Sequence, residues 1–165
     1  MKVLANDGIS AKAQAQLEAA GVHVSTDHVE QAHLIDTLNN EGYDGILVRS
    51  ATKVRQDLID ACPRLRFIGR GGVGMDNIDV AYAREQGRVV FNTPAASSQS
   101  VAELVMAHLF AMARSLQHSY RAMPDQGAED FKVLKKAYAK GIELRGKTLG
   151  IVGYGLATLE AVTSF

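Results

Sequence analysis

The run Gly45-Ile46-Leu47-Val48 decides the fold class, because it is apolar at every position and is followed directly by the polar pair Arg49-Ser50. A short strand without a polar face is typical of a parallel sheet that is covered on both sides. Four more runs with strand character lie at residues 2–5, 22–25, 67–69 and 88–91. Amphipathic stretches between them predict helices over residues 11–20, 29–40, 54–62 and 80–86. This alternation predicts an α/β fold, a parallel sheet with helices on both faces.

The pattern changes after residue 91. Residues 92–98 are small and polar and predict a loop that could act as a hinge. A long helix is predicted from Ser100 to Met123, and Ser100 and Glu103 have the spacing of a capping box. Its middle, residues 104–113, is apolar on almost every side, which predicts a domain or subunit interface. A loop over residues 124–130 and a shorter helix over residues 131–139 are expected next.

Composition and charge narrow the class of protein. The chain has 165 residues, of which 47% are hydrophobic and 22% charged, so a folded protein is expected rather than a disordered one. Lys plus Arg and Asp plus Glu both number 18, and this balance argues against nucleic acid or an anionic membrane as a partner. One cysteine cannot form an internal disulfide, and Asn6-Asp7 interrupts any signal peptide. These features predict a cytoplasmic protein.

A glycine-rich segment follows the predicted strand at residues 67–69. Gly69, Gly71, Gly72 and Gly74 leave backbone amides uncovered, and such amides can bind an anion without any side chain. Arg49-Ser50, at the end of another strand, could supply a guanidinium and a hydroxyl to a carboxylate or phosphate. In open α/β sheets ligands bind at these carboxyl ends. The alternative is that the glycines form only a tight turn and that Arg49 is a solvated charge.

A second glycine motif follows residues 148–152, which read as a buried strand. Gly153-x-Gly155 has the form of a turn that cradles a dinucleotide pyrophosphate. The third glycine of that motif is replaced by Thr158, so an ordinary strand-to-loop turn is an equal alternative.

Histidine and cysteine add no second site. The five histidines, at positions 23, 28, 33, 108 and 118, are interpreted as surface or interface residues, and Cys62 as a small buried hydrophobe. No C-x-x-C or H-x-x-x-H pattern occurs, so no metal site is predicted.

Several of these segments together resemble the NAD-dependent D-2-hydroxyacid dehydrogenases. The segments that carry the resemblance are residues 48–54, 69–79, 91–94, 100–104 and 144–155. They occur in the family's order and spacing and cover about residues 1–155. Within the family, the chain is most similar to members that oxidise 3-phospho-D-glycerate at the start of serine biosynthesis.

The resemblance implies a division of the chain. Residues 1–96 correspond to most of a flavodoxin-like substrate domain. Residues 97–165 correspond to the hinge, an interface helix and the first strand and glycine-rich turn of a Rossmann cofactor domain. The helix from Ser100 to Met123 is then expected to join two copies of the chain in a homodimer.

The resemblance also assigns site residues. Arg49 and Ser50 are expected to face the phosphate or carboxylate of a small 2-hydroxy acid. The backbone amides of Gly72, Val73 and Gly74 are expected to hold its C1 carboxylate, with Ser97 as a further contact. The NAD site is expected to include Val73, Gly153, Gly155, Leu156 and Ala157.

The chain departs from the family after Gly155, where Leu156-Ala157-Thr158 stands in place of Arg-Ile-Gly. The catalytic arginine, glutamate and histidine of the family belong to later segments that this sequence does not contain. We therefore expect the chain to be inactive alone, and a frameshift or premature end to explain the change. Two alternatives are a non-catalytic α/β anion-binding or dimerisation module and an unstable product that aggregates.

Overall fold

A computed structural model describes residues 1–153, 155 and 158. The chain forms two compact units, Met1–Ala96 and Ser97–Phe165, and each is described by itself.

The first unit contains a five-stranded parallel sheet. Its strands are β1 (Lys2–Ala5), β2 (His23–Ser25), β3 (Gly45–Val48), β4 (Phe67–Arg70) and β5 (Val89–Asn92). They are arranged in the order β2-β1-β3-β4-β5, and every pair is parallel. The α/β prediction is therefore confirmed, and the order is that of flavodoxin-like sheets. Leu4 pairs with Ile46 and Ile46 with Ile68, so the apolar run that predicted the fold lies at the centre of the sheet.

Four helices connect the strands of this unit: α1 (Ala11–Ala19), α2 (Leu34–Asn40), α3 (Gln56–Ala61) and α4 (Val80–Glu85). Ser10 caps α1, because its hydroxyl accepts a hydrogen bond from the Ala13 amide at 3.2 Å.

Two of the helices begin later than the sequence predicts. The α2 region starts with a 3-10 turn over Gln31–His33, because the Val29 carbonyl, which a helix would use, accepts a hydrogen bond from the Asn6 side chain at 3.1 Å. Similarly, the Val54 carbonyl accepts a hydrogen bond from the Asp79 amide at 3.0 Å, so α3 starts only at Gln56. In both cases a distant residue competes with the helix for the backbone.

Both faces of the sheet bury apolar side chains. The larger cluster includes Leu34, Leu58 and Ile59 packed against Ile46 and Ile68. Each such side chain contributes about 1.5–3 kcal/mol when fully buried. The smaller cluster lies on the opposite face and is built from the side chains of Val3, Ala5, Val22 and Val24. Helices on both sides thus leave the carboxyl ends of the strands as the place for a site.

The second unit consists mainly of helices α5 (Ser98–Ala113) and α6 (Leu116–Tyr138). The prediction of one helix from Ser100 to Met123 was wrong, because the chain breaks at Ser115, whose φ of 53° is left-handed. The predicted loop over residues 124–130 is instead part of α6, which is kinked at Asp130. The capping box was also wrong: α5 begins at Ser98, and Glu103 accepts a hydrogen bond from Gln99 at 3.0 Å.

The strand predicted over residues 148–152 does not form. Leu149, Ile151 and Val152 are exposed, and none of these five residues belongs to a strand. The described part of the second unit offers no strand with which they could pair, and a strand needs a neighbour for its backbone hydrogen bonds. Within the described residues, no helix is long and apolar enough to cross a membrane.

Candidate functional site

A cavity of about 660 Å³ opens at the carboxyl ends of four strands of the first unit. Residues at or just after the ends of β1, β3, β4 and β5 all contribute to its wall. The lining residues are Asp7, Gly8, Ile9, Ser10, Ala13, Leu47, Val48, Arg49, Gly69, Arg70, Gly71, Phe91 and Thr93. The wall thus combines an apolar floor with one carboxylate and two guanidinium groups.

The floor of the cavity depends on Gly69 in β4. A Cβ at this position would lie 2.7 Å from the side chains of both Leu47 and Phe91, closer than real atoms approach. Glycine therefore leaves room for both side chains over this position of the sheet, where they form the floor of the cavity.

Asp7 anchors the loop that carries Arg49. Its carboxylate accepts hydrogen bonds from the Arg49 amide at 2.5 Å, the Thr52 amide at 3.2 Å and the Thr52 hydroxyl at 2.6 Å. Burial alone would raise the pKa of Asp7, but the hydrogen bonds from Thr52 and Arg49 outweigh it and lower the pKa. Asp7 is therefore a structural carboxylate that stays ionised, and a proton acceptor for a substrate needs a higher pKa.

Asn77 links the same loop to the glycine-rich segment. Its side-chain amide donates to the carbonyls of Arg49 at 2.8 Å and Thr52 at 2.6 Å, and its Oδ1 accepts from Arg70 Nε at 3.0 Å. This side chain is buried, so three of its four hydrogen-bonding positions are used away from solvent. The two arginines of the cavity therefore share one buried partner.

The glycine-rich segment is held by the loop after β5. The Gly72 amide donates to the Thr93 hydroxyl at 2.9 Å, and the Asn92 side chain donates to the Val73 carbonyl at 2.6 Å. Gly72 has a φ of 151°, a conformation that side chains rarely adopt. Among the described residues no acceptor is found for the amides of Val73 and Gly74, and both residues are exposed. These two amides are available to an anion, whereas that of Gly72 is already bonded.

The predicted substrate residues are only partly brought together. Arg49 lines the cavity, and Ser50 lies next to it on the exposed loop. The segment of Gly72, Val73 and Gly74 continues from Gly71, which is part of the wall. Ser97 is the first residue of the second unit, and its contact with substrate stays a prediction.

Sequence reasoning missed four residues of this site: Asp7, Arg70, Asn77 and Thr93. Asp7, Arg70 and Thr93 carried a usable signal, because each stands at or just after the end of a predicted strand, as Arg49 does. Asn77 carried no such signal, since it lies within the glycine-rich loop.

The structure describes only part of the predicted dinucleotide site. Gly153 has a φ of 94°, and a Cβ at Gly153 or Gly155 would meet open space. Residues 148–152, which should form the strand before the turn, do not form one, as described above. Leu156 and Ala157, also predicted to bind NAD, lie outside the described residues.

Among the described residues, no histidine lines the cavity. His28 contacts the carbonyl of Asn6 through Nδ1 at 3.0 Å. Cys62 is buried, and burial raises the pKa of its thiol. In the part of the chain that the structure describes, no group of three or more His, Cys, Asp or Glu is placed to hold a metal ion.

Comparison with known proteins confirms the resemblance found in the sequence. Residues 3–164 match the model of a family described as D-isomer specific 2-hydroxyacid dehydrogenase, catalytic domain. A hydroxypyruvate reductase of Thermotoga maritima is 41% identical over 155 residues, which are 93% of this chain and 48% of the relative. A D-3-phosphoglycerate dehydrogenase of Methanocaldococcus jannaschii is 42% identical over 156 residues, or 94% of this chain and 28% of the relative.

A solved structure shows the same likeness. The TT0316 protein from Thermus thermophilus matches with a TM-score of 0.81 and 27% identity over 99% of this chain and 52% of that one. The chain therefore spans about half, or less, of the length of the proteins that it matches.

Proposed function

Because the chain belongs to the D-isomer specific 2-hydroxyacid dehydrogenase family, we propose that its first unit is the substrate-binding domain of an oxidoreductase that uses NAD. The proposed substrate is a 2-hydroxy acid, 3-phospho-D-glycerate, as in the first step of serine biosynthesis. A curated relative named D-3-phosphoglycerate dehydrogenase, 42% identical to this chain, supports that choice. A cytoplasmic location is part of the proposal and is supported by the single, buried cysteine.

The observation that carries the proposal is a pair of guanidinium groups at one cavity. Arg49 and Arg70 both line it, and among the described residues neither forms an ion pair with a carboxylate. By contrast, Arg55 pairs with Asp79 and Arg64 with Asp44. An arginine without a carboxylate partner at the carboxyl end of a parallel sheet is suited to a bidentate contact with a ligand carboxylate or phosphate.

We assign the two anionic groups of 3-phospho-D-glycerate to two parts of the site. The guanidinium of Arg49 and the hydroxyl of Ser50 bind one of them, the phosphate. The free amides of Val73 and Gly74 and the adjacent guanidinium of Arg70 bind the C1 carboxylate, and the Gly72 amide joins only when the Thr93 hydroxyl releases it.

Turnover is not assigned to this chain alone. The chemistry that NAD would supply when bound is acceptance of a hydride, and a base must take the hydroxyl proton. Among the described residues no histidine lines the cavity, and the carboxylate that does, Asp7, has a lowered pKa. We propose that Val73, Gly153, Gly155, Leu156 and Ala157 would hold this cofactor.

A homodimer through α5 is the proposed assembly. Leu104, Val105, Phe110 and Met112 expose between 42% and 76% of their surface on this helix, too much apolar area for an isolated surface. Because the predicted helix from Ser100 to Met123 ends at Ala113, the proposed interface is limited to α5 and the start of α6.

The test is calorimetric titration of the 165-residue chain with 3-phospho-D-glycerate. Arg49→Ala is expected to weaken binding about tenfold to a hundredfold, the range of a charge-assisted hydrogen-bonded pair. Arg64→Ala is the matched control, because Arg64 pairs with Asp44 before β3, at the opposite end of the strands. Equal affinities of the parent and Arg49→Ala would refute this site.

A non-catalytic anion-binding module is the second candidate, favoured because no histidine of the described part of the chain lies in the cavity wall. Titration with inorganic phosphate separates the two. A simple anion module binds phosphate as tightly as 3-phospho-D-glycerate, whereas a substrate domain prefers the ligand with both groups. NADH formation by the purified chain would contradict the proposal that it binds without turnover.

A further inference from the structure

We infer that Asn77 is a positioning residue that holds the loop of Arg49 and the side chain of Arg70 in the geometry needed to bind the anion. The inference rests on the proposed function, since it concerns the same cavity. Asn77 itself does not line the cavity, so it acts through the two arginines.

The contacts of Asn77 reach both arginines from one point. Nδ2 donates to the carbonyls of Arg49 and Thr52, the first and last residues of the turn after β3. Oδ1 accepts from Arg70 Nε, which leaves the two terminal nitrogens of that guanidinium for other contacts. One of them, Nη1, lies 2.7 Å from where a Cβ on Gly72 would be, so the guanidinium lies against the glycine-rich segment.

Asp7 completes the restraint on the Arg49 loop from the other side. It binds the amides of Arg49 and Thr52, while Asn77 binds their carbonyls. Every backbone group at the two ends of the turn is therefore engaged, and the side chains of Arg49 and Ser50 remain to be ordered by a ligand. Preorganisation of this kind increases affinity by reducing the entropy lost on binding.

The chemistry requires an asparagine at this position. An aspartate would keep the acceptor for Arg70 but would place a carboxylate oxygen against two carbonyl oxygens. An alanine would leave both carbonyls and Arg70 Nε without their buried partner.

The backbone around Asn77 has separate supports, so its side chain can be tested without removing the segment. The Asn77 carbonyl accepts from Val54, the Asp79 amide donates to the Val54 carbonyl at 3.0 Å, and Arg55 pairs with Asp79 at 2.7 Å. None of these contacts uses the side chain of Asn77.

The experiment is titration of the 165-residue chain with 3-phospho-D-glycerate for the parent, Asn77→Ala and Asn77→Asp, with thermal unfolding measured in parallel. Both variants are expected to bind about tenfold more weakly, because each loses the two hydrogen bonds that fix the loop. The matched control is Asn39→Ala, which removes a similar hydrogen bond, from Asn39 to the Ala61 carbonyl at 2.9 Å, away from the cavity. That control should bind like the parent.

A double-mutant cycle distinguishes positioning from general destabilisation. If Asn77 acts through Arg49, adding Arg49→Ala to Asn77→Ala should weaken binding by much less than Arg49→Ala does in the parent. Arg70→Ala should keep its full effect in Asn77→Asp, where the acceptor for Nε remains. Additive effects of Arg49→Ala and Asn77→Ala, or unchanged affinity in Asn77→Ala, would overturn the inference. Should Asn77→Ala fail to fold, the isosteric Asn77→Asp series decides alone.

The outcomes also separate this inference from the proposed function. A parent chain that binds no 3-phospho-D-glycerate overturns the proposed function and this inference together. A parent that binds, and loses affinity in Arg49→Ala but not in either Asn77 variant, overturns this inference alone.

Discussion

Replacement of Asp7 by asparagine should destabilise the first unit in a way that depends on pH. One Asp7 oxygen accepts from two backbone amides, those of Arg49 and Thr52, and the other accepts from the Thr52 hydroxyl. In Asp7→Asn the remaining oxygen can face the two amides, but both bonds lose the charge of their acceptor. Hydrogen bonds to a charged group contribute about 1.5–3 kcal/mol and neutral ones about 0.5–1.5 kcal/mol. For two bonds the expected loss is about 2 kcal/mol near neutral pH.

The pH dependence of this stabilisation follows from the direction in which folding shifts the pKa of Asp7. Folding lowers the pKa of Asp7, so its carboxylate stabilises the fold above the unfolded-state pKa of about 3.9. This contribution is lost as the pH falls through the lower folded-state pKa. The difference in unfolding free energy between the parent and Asp7→Asn should therefore be full at neutral pH and shrink in acid, once Asp7 is protonated.

The assay is urea unfolding followed by far-ultraviolet circular dichroism, at neutral pH and in acid down to the parent's stability limit. Asp125→Asn is the control, because Asp125 is exposed on α6 and makes no hydrogen bond among the described residues. A difference of the same size at both pH values would refute the argument that the ionised carboxylate is what stabilises the loop. No difference at neutral pH would refute the hydrogen-bond assignment itself.

Three further predictions concern the packing of the chain. Gly69→Ala should reduce the free energy of unfolding by about 1–3 kcal/mol and lower the thermal midpoint, because the new Cβ would lie 2.7 Å from Leu47 and Phe91. The control Gly150→Ala places its Cβ in open space and should leave the midpoint unchanged. Cys62 should react slowly with a maleimide at neutral pH until urea unfolds the chain, since it is buried and its thiol pKa is raised; rapid labelling of the folded chain would contradict this. Ser115→Gly should raise the thermal midpoint by an amount equivalent to about 0.5–1 kcal/mol, because glycine adopts the left-handed φ of 53° without strain, and a lower midpoint would argue against that backbone geometry.

The central strands of the first unit were predictable because their mainly apolar runs can be recognised locally. Gly45–Val48 is the clearest example, and the structure gives it the predicted bounds. The late start of α2 was not predictable, because it depends on Asn6, 23 residues before Val29. Local periodicity reports which face of a segment is apolar, and it carries no record of a distant side chain that competes for the backbone.

In the second unit, local sequence patterns predicted elements that the structure does not contain. The helix breaks at Ser115, where no glycine or proline marks a break in the sequence. Pro124, which was expected to end a helix, lies inside α6. Residues 148–152 have the composition of a strand, but the described residues of this unit contain no strand to pair with them. Strand propensity is realised only when a neighbouring strand supplies the hydrogen bonds.

For the site, the sheet explains what the sequence could and could not reveal. Asp7, Arg49, Arg70 and Thr93 are spread over 87 positions of the chain, and they converge because parallel strands end at one edge of the sheet. Fold class alone therefore predicts which segments meet, as it did for Arg49. It does not predict which partners they choose there, and the choice decides function: Asp7 binds backbone amides and leaves the guanidinium of Arg49 free for a ligand. Every residue of the cavity wall lies in Met1–Ala96, so binding of the anion is a property that this unit can be tested for independently of hydride transfer.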